Sequence, residues 1–576
     1  MSLPSIRVGG VERGPFAVAV IGGSLVVTGL SVHTPIWASA AVVTVLLVSV
    51  AVQVNDRTTV RWLLDWAEYR FGRAARVRAL AGPVELEDVQ VAAGVCGIRA
   101  DGTWLTAMIQ LAPNLDLPTV IAEKSIYTED TVPVDALRDL LDQYGLAVDI
   151  DIVTTGQRVR STGNYSMLYD QLIGSHPVVG HRLTWLVVRL DMERNLELLR
   201  HRGPCAEVAP KALASAAHRI AGRLRERGIA AHALPATALV EATRVLHAGV
   251  ELSDLRETWT CLESSVPGRC VTSFLIDWTR LDGVGLDDCW AWNRGRTTLV
   301  VSLTDAGTGP RAIARYIGPP VTDSPPEYLR PLTGQQATAM LASLPTGTSI
   351  RAVPVDESGA DIAPDELVAD LTIAIGPNGQ ILGSISGQPR HTLALPLFDP
   401  ARFNPRRRTI DVHADLPVAQ QIVLRAMVVG ADVEVHSVRP HRWWQLVAAV
   451  GDPESLRLAP ENAAGEDGDG QASPAPSSAT ITVFDNLPPR ASNAHTTVTI
   501  SEPGGPRRRS VDLAIDQVSA TAVDVSIPMR TVRVDLIEPR GETRYFDSAT
   551  QQPAITAGGG GAVTPAAPQP NGHRSS

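Results

Sequence analysis

Between Pro15 and Asn55 the chain carries no Asp, Glu, Lys or Arg. The stretch divides into two apolar runs, Pro15–Leu30 and Pro35–Asn55, separated by Ser31-Val32-His33-Thr34. One crossing of a hydrocarbon core takes roughly 20 apolar residues. Pro35 lacks an amide and disfavours helix in the residue before it, which suits the first turn of a second helix. The pattern predicts a transmembrane hairpin over 15–55, with Gly22, Gly23 and Gly29 allowing close helix approach. The competing readings are a cleaved signal peptide and a buried soluble hairpin; a signal peptide has one short apolar core and no second span directly after it. Arg7 and Arg13 precede the hairpin, and Arg57, Arg61, Arg70, Arg73, Arg76 and Arg78 follow it, while the connecting turn has no basic residue. Positive charge resists translocation. Residues 1–14, both termini and everything after the hairpin are therefore expected in the cytoplasm.

Past the hairpin the period changes. Over 56–82, Trp62, Leu63, Trp66, Tyr69 and Arg70 recur at helical spacing, predicting a basic amphipathic juxtamembrane helix that Gly82-Pro83 ends. Residues 83–250 read as the first part of an α/β region. Strands are expected at Val89–Arg99 and Thr103–Leu111 around Asp101-Gly102, then a helix Val134–Tyr144 ended by Gly145. Strands Leu146–Val153 and Thr184–Leu190, helix Val208–Arg227, strand Ile229–Ala233 and helix Ala236–His247 follow. That alternation predicts a parallel sheet with right-handed crossovers. Residues 251–458 read as the second part, with strands Val271–Trp278 and Thr297–Thr304 and a helix Thr333–Leu344. Leu371–Ile375 and Gln380–Ser386 flank Gly376-Pro377-Asn378-Gly379, which has hairpin-turn chemistry. Strand Thr409–His413, helix Pro417–Gly430 and strand Asp432–Ser437 make a further β-α-β unit. Residues 459–479 have the composition of a disordered linker. Residues 480–549 hold five strand-like stretches, read as an accessory β module, and 550–576 read as a disordered tail. The expected fold is an α/β cytoplasmic region anchored by an N-terminal two-helix transmembrane hairpin, with a small C-terminal β-rich module.

Composition narrows the function. The 576 residues have a net charge of −10, which argues against a broad nucleic-acid-binding surface. The five cysteines include no C-x-x-C pair, which fits a reducing compartment and counts against a disulfide framework. Cys261, Cys270 and Cys289 match no trusted zinc spacing. The most suggestive chemistry is Asp149-Ile150-Asp151. Two carboxylates so spaced after a strand can hold a divalent cation on a nucleotide-sugar diphosphate, but alternation with Val148, Ile150 and Ile152 equally places them on a strand's polar face. Gly383-Ser384-Ile385-Ser386-Gly387 has Ile where a G-x-S-x-G nucleophile belongs. Neither G-x-x-x-x-G-K-[ST] nor H-E-x-x-H occurs. Arg406-Arg407-Arg408 and Arg507-Arg508-Arg509 could meet phosphate or anionic lipid, or be solvated faces; Trp443-Trp444 reads as a packing or interface anchor. No catalytic, cofactor-binding or metal-binding residue is assigned, no cofactor is expected, and the chain is not expected to be an enzyme.

Local segments carry a resemblance. They are the W-x-x-x-W-x-x-Y-R run (Trp62, Trp66, Tyr69, Arg70), Leu137–Tyr144 (LRDLLDQY), Tyr169-Asp170-Gln171-Leu172, His181–Asp191 (HRLTWLVVRLD) and Leu393–Phe398 (LALPLF). Together with two closely spaced spans before a cytoplasmic α/β region, over roughly residues 10–450, they make the chain resemble the EccE family, a membrane component of mycobacterial type VII (ESX) secretion systems. The resemblance implies a non-catalytic, stabilising subunit of the inner-membrane core complex. The partners it implies are EccB-, EccC- and EccD-type subunits and inner-membrane lipids, with no nucleic acid. It places the motor in the EccC ATPase, in keeping with the missing P-loop, and implies ESX, PE and PPE proteins as the cargo. It also implies a glycosyltransferase-like look for the soluble domain, which carries no activity by itself. Two alternatives stay open: a membrane-anchored glycosyltransferase-like enzyme of envelope biosynthesis, and a membrane-tethered regulatory binding protein.

Overall fold

The computed structural model describes residues 6–8, 52–54, 57–58, 66–67, 69–72, 84–123, 125–281, 285–304, 307–355, 359–459, 479–506, 508 and 510–546. Two large sheets dominate it. The main helices around them among the described residues are α1 (Ser166–Ile173), α2 (Leu196–Arg202), α3 (Cys205–Glu226), α4 (Ala236–His247), α5 (Gln336–Ala342), α6 (Leu416–Val428) and α7 (His441–Val450).

The main path of the first sheet runs Arg256–Glu257, Leu262–Glu263, Cys270–Ile276, Arg311–Gly318, Arg296–Leu303, Asp149–Gln157, His181–Asp191, Trp104–Leu111, Gly94–Asp101 and Glu85–Val91. Its pairings are antiparallel, contrary to the expected parallel sheet. The crossover itself exists. His181–Asp191 and Ala231–Ala233, joined through α2 and α3, both run antiparallel to Trp104–Leu111, which lies between them. Periodicity identifies strand and helix but not the strand that inserts between the two. Alternate residues face opposite sides. Ile150, Ile152, Leu186 and Val188 join the core under α3, which buries Leu213, Ala217, Ile220 and Leu224. Val153, Trp185 and Val187 join the core under α4 and α5. Asp88 Oδ1, from the edge strand, accepts from the Ala236 amide at 2.7 Å and satisfies one of the free donors at the start of α4.

The second sheet has a parallel block, in the order Leu456–Leu458, Val433–Ser437, Ile481–Asp485, Thr496–Ser501, Arg408–His413 and Leu513–Ser519. An antiparallel run continues it through Ala522–Ile527, Arg530–Leu536, Gln380–Ile385, Gln388–Leu395, Thr119–Ile121 and Ile126–Tyr127. The predicted β-α-β unit is present, since Arg408–His413 and Val433–Ser437 run the same way with α6 between them in sequence. Two strands from the 480–549 stretch insert between them.

Several expectations are corrected. The five C-terminal strands do not stand apart as a module: they supply five strands of the second sheet. No boundary falls at 251, because Asp149–Gln157 pairs directly with Arg296–Leu303. The predicted helix Val134–Tyr144 is one turn, Asp135–Arg138, and then a hairpin in which Asp142–Gln143 pairs with Leu146–Ala147. Tyr144 (φ 58°) and Gly145 (φ 82°) make its two-residue turn, and positive φ at both central positions matches strand twist. Leu371–Ile375 and Gln380–Ser386 do not form a hairpin. Thr372–Ala374 pairs with Thr131–Pro133, and Asn378 instead joins the two sheets, its amide donating to Val179 O at 2.9 Å and its Oδ1 accepting from Val179 N at 2.7 Å. The helix expected to start at Thr333 starts at Gln336.

The predicted transmembrane hairpin lies outside the described residues except for Val52–Val54, which form a strand. Among the described residues no helix is long and apolar enough to cross a membrane. The juxtamembrane helix does not begin at 56, since Arg57–Thr58 is a strand; residues 66–67 and 69–72 are helical.

Candidate functional site: a membrane-proximal dock and a closed aspartate pair

Ile6–Val8 pairs antiparallel with Val52–Val54, with Ile6 opposite Val54 and Val8 opposite Val52. Val54 in turn pairs with Arg57. Val8 and Val52, which bracket most of the uncharged segment, are thereby held side by side. Next along the chain, Tyr69 reaches the first sheet. Its hydroxyl donates to Glu257 O at 3.3 Å, and its ring stands edge-on to Trp259, centroids 5.3 Å apart at 81°. Trp259 lies in a tight loop between Arg256–Glu257 and Leu262–Glu263. Thr258 Oγ1 closes that loop by donating to Cys261 O at 2.8 Å. On its other side Trp259 lies against Gly334, where a Cβ would come within 2.6 Å of the indole, and Trp259 O accepts from Gly334 N at 2.8 Å. The sequence marked Tyr69 as part of a helical face. Trp259 was missed because nothing in its local pattern points to a partner 190 residues away.

The structure brings Asp149 and Asp151 together on the sheet face beneath α5, both buried. Each carboxylate is taken by arginine. Asp149 receives Arg351 Nε at 3.0 Å and Arg194 Nη1 at 3.2 Å. Burial raises its pKa, and the two guanidiniums offset part of that rise. Asp151 pairs with Arg189, whose Nε and Nη2 also donate to Thr346 O at 2.7 Å and Leu344 O at 2.8 Å. Asp151 Oδ1 alone of the four oxygens is without a donor. The pair thus fastens the segment 344–351 over the sheet. Among the described residues no cluster of three or more His, Cys, Asp or Glu is placed to hold a metal, and a cation at Asp149 and Asp151 would first have to displace three guanidiniums.

The other singled-out residues are structural. Cys270 and Cys289 are buried free thiols; burial, then the neighbouring Cys261, pushes Cys270 up to about 11. Arg408 donates to Leu115 O at 2.9 Å and pairs with Asp116, as Arg406 does. Arg508 pairs with Asp411. Trp443 is buried with Nε1 on Asp485 at 2.9 Å, while Trp444 is exposed. Ser384 lies in a hairpin strand opposite Thr392, and Ser386 Oγ donates to Asp535 at 2.6 Å.

Residues 178–276, which hold strand His181–Asp191 and the Trp259 loop, match a family model described as "Putative type VII ESX secretion system translocon, EccE". The ESX-2 secretion system protein EccE2 of Mycobacterium tuberculosis is 26% identical over 476 residues, 78% of this chain and 82% of that protein. Over these regions the chain is similar to EccE proteins. Two further EccE proteins align over less of their length. The ESX-1 secretion system protein EccE1 of Mycolicibacterium smegmatis is 28% identical over 46% of this chain and 53% of its own length. The ESX-5 secretion system protein EccE5 of Mycobacterium marinum is 30% identical over 41% of this chain and 60% of its own length. Each of these relatives is named as a protein of an ESX secretion system.

Proposed function

We propose that this chain is an EccE-type protein, a non-catalytic, stabilising subunit of the inner-membrane core complex of a type VII secretion system. The observation that carries this reading is the pairing of Ile6–Val8 with Val52–Val54. It sets side by side the two ends of the segment 9–51, which carries no charge from 14 to 51, and that is what a membrane hairpin with both flanks in the cytoplasm requires. The Tyr69–Trp259 contact then couples that anchor to the sheet body. The hairpin packs against helices of EccB-, EccC- or EccD-type subunits in the inner membrane, and the two-sheet body stays in the cytoplasm. The rival reading, a glycosyltransferase-like enzyme, rests on Asp149 and Asp151, and both carboxylates are committed to arginines.

The test is affinity purification of the tagged full-length chain in mild detergent, followed by a native gel and mass spectrometry of the band. Co-migration of EccB-, EccC- and EccD-type proteins in one large species is the expected result. A chain that runs alone while the others co-migrate without it would overturn the reading.

A further inference from the structure

Helix α4 does not close fully on the first sheet. An open cleft of about 210 Å³ lies between α4, strands Trp104–Leu111 and His181–Asp191, and the loop at Arg402-Phe403. Its apolar walls are Leu183, Trp185, Ala238, Ala242, Val245 and Phe403. A dry cavity of roughly 150 Å³ is enough to admit benzene, so this one takes an aromatic ring with a short arm, or several carbons of an acyl chain. Trp185 itself is buried with its indole nitrogen unpartnered.

One end of this cleft is cationic. Along strand His181–Asp191 the residues on the cleft face are His181, Leu183 and Trp185 in succession. His181 lies opposite Gln157, and the pairing of Gly156 with Thr297 places Arg296 on the far side of Gln157. Arg402, which lines the cleft, adds its positive charge to both His181 and Arg296. Burial, helped by Arg296, Arg160 and Arg402, pushes His181 down to about 3. Burial and Arg402 push Arg296 down to about 10. Arg296 Nε and His181 Nδ1 are buried without partners, and among the described residues no carboxylate pairs with Arg296. Arg160 is already taken by Asp432 at 2.7 Å. The acid at the rim, Glu241, is bound by Arg244 at 2.6 Å and stands 3.8 Å from Arg402. Arg244, Arg402 and Arg296 together thus carry more positive charge than Glu241 offsets beside an apolar cleft, and guanidinium forks match carboxylate and phosphate geometry. Sites for small molecules have this make-up, mostly apolar walls with a few convergent polar groups.

We infer that the α4 cleft binds a small acidic amphiphile, with a carboxylate or phosphate head held by Arg402 in the field of the buried Arg296 and an aryl or short acyl body between Trp185, Val245 and Phe403. The test is calorimetric titration of the full-length chain, reconstituted in zwitterionic nanodiscs, with 4-phenylbutyrate and with octyl phosphate; empty nanodiscs provide the blank. The two probes tell a ring from a chain. The inference expects saturable binding of at least one, no binding of 4-phenylbutylammonium or of inorganic phosphate, and a tenfold or greater weakening in Arg402→Glu, a change at an exposed side chain. Ala242→Trp, which fills the cleft, should abolish the signal. Absence of heat with both acids, equal binding of the ammonium analogue, or unchanged affinity in both variants would overturn it. So would binding of a peptide with a free terminal carboxylate in place of either small acid.

Discussion

Tyr69, just past the predicted membrane anchor, stands edge-on to Trp259 while its hydroxyl donates to Glu257 O, the end of the strand that leads into the Trp259 loop. An aromatic pair of this geometry contributes about 0.5–1.5 kcal/mol beyond its buried area. That is too little to decide whether the sheet folds, but enough to decide whether the helix at 69–72 stays docked. Trp259→Ala should leave the denaturation midpoint of the sheet body nearly unchanged and speed tryptic cleavage at Arg70 several-fold. Equal cleavage rates in variant and parent would show that the contact does not hold the helix.

Asp151 and Arg189 are both fully buried. Breaking such a pair by removing one member costs about 3–5 kcal/mol, because the other charge is stranded, whereas replacing both by apolar residues is often neutral. Arg189→Met should therefore lower stability by that amount in urea titration, and Asp151→Leu combined with Arg189→Met should recover most of it. A double variant as unstable as the single one would locate the cost in the lost bonds to Thr346 O and Leu344 O instead.

Asp130 links two loops, its Oδ2 accepting from Asn114 N at 3.2 Å and Gly376 N at 3.1 Å. Burial raises it to about 6, against the lowering effect of those two bonds and of Arg182; the unfolded value is about 3.9. The raised value means the folded state favours the protonated carboxyl. Its contribution is present in full below about pH 4 and is lost as pH rises through about 6, a change of roughly 2–3 kcal/mol. Asp130→Asn keeps an acceptor oxygen and cannot ionise. It should stabilise the chain at pH 7.5 and flatten the pH dependence of stability between 4 and 6, read as the urea midpoint at each pH.

Glu542, fully buried, receives Arg425 Nη2 at 2.9 Å and Gln421 Nε2 at 2.8 Å and pairs with the Tyr165 hydroxyl. It pins the C-terminal segment to α1 and α6. Truncation at Pro460 removes this residue and five strands of the second sheet. The expected product is an aggregating or protease-sensitive chain, not a shortened but intact protein. Glu542→Ala alone should cost about 3–5 kcal/mol by leaving Arg425 buried and unpaired. A soluble truncated chain with unaltered circular dichroism per residue would refute this.

Gly379 has φ of 80°, and a Cβ there would lie 2.1 Å from Pro396 N. Left-handed backbone costs an ordinary residue roughly 1–2 kcal/mol, and the contact is with backbone that cannot rotate away. Gly379→Ala should lower the thermal midpoint by several degrees, whereas Gly387→Ala, with φ of 81° and open space around it, should lower it less.

Local pattern determined a good deal of this protein. Helix α4 is where its periodicity put it, α3 and α6 are within a few residues, and Thr184–Leu190, Thr297–Thr304 and the C-terminal strands are strands, because side-chain period is a property of neighbours in the chain. The alternation around Asp149 and Asp151 correctly placed both on one face of a strand. The similarity to EccE proteins was also legible, through segments such as His181–Asp191 that sit at the centre of the first sheet. Tertiary structure alone decided the pairing. Strands 480–536 complete a sheet begun at 119, and the arginines that close over Asp149 and Asp151 come from positions 189, 194 and 351. The reason is physical: a strand's backbone groups bond equally well to any partner of matching direction and register, and a carboxylate accepts from any guanidinium that the fold brings near. Sequence spacing carries no record of which one arrives.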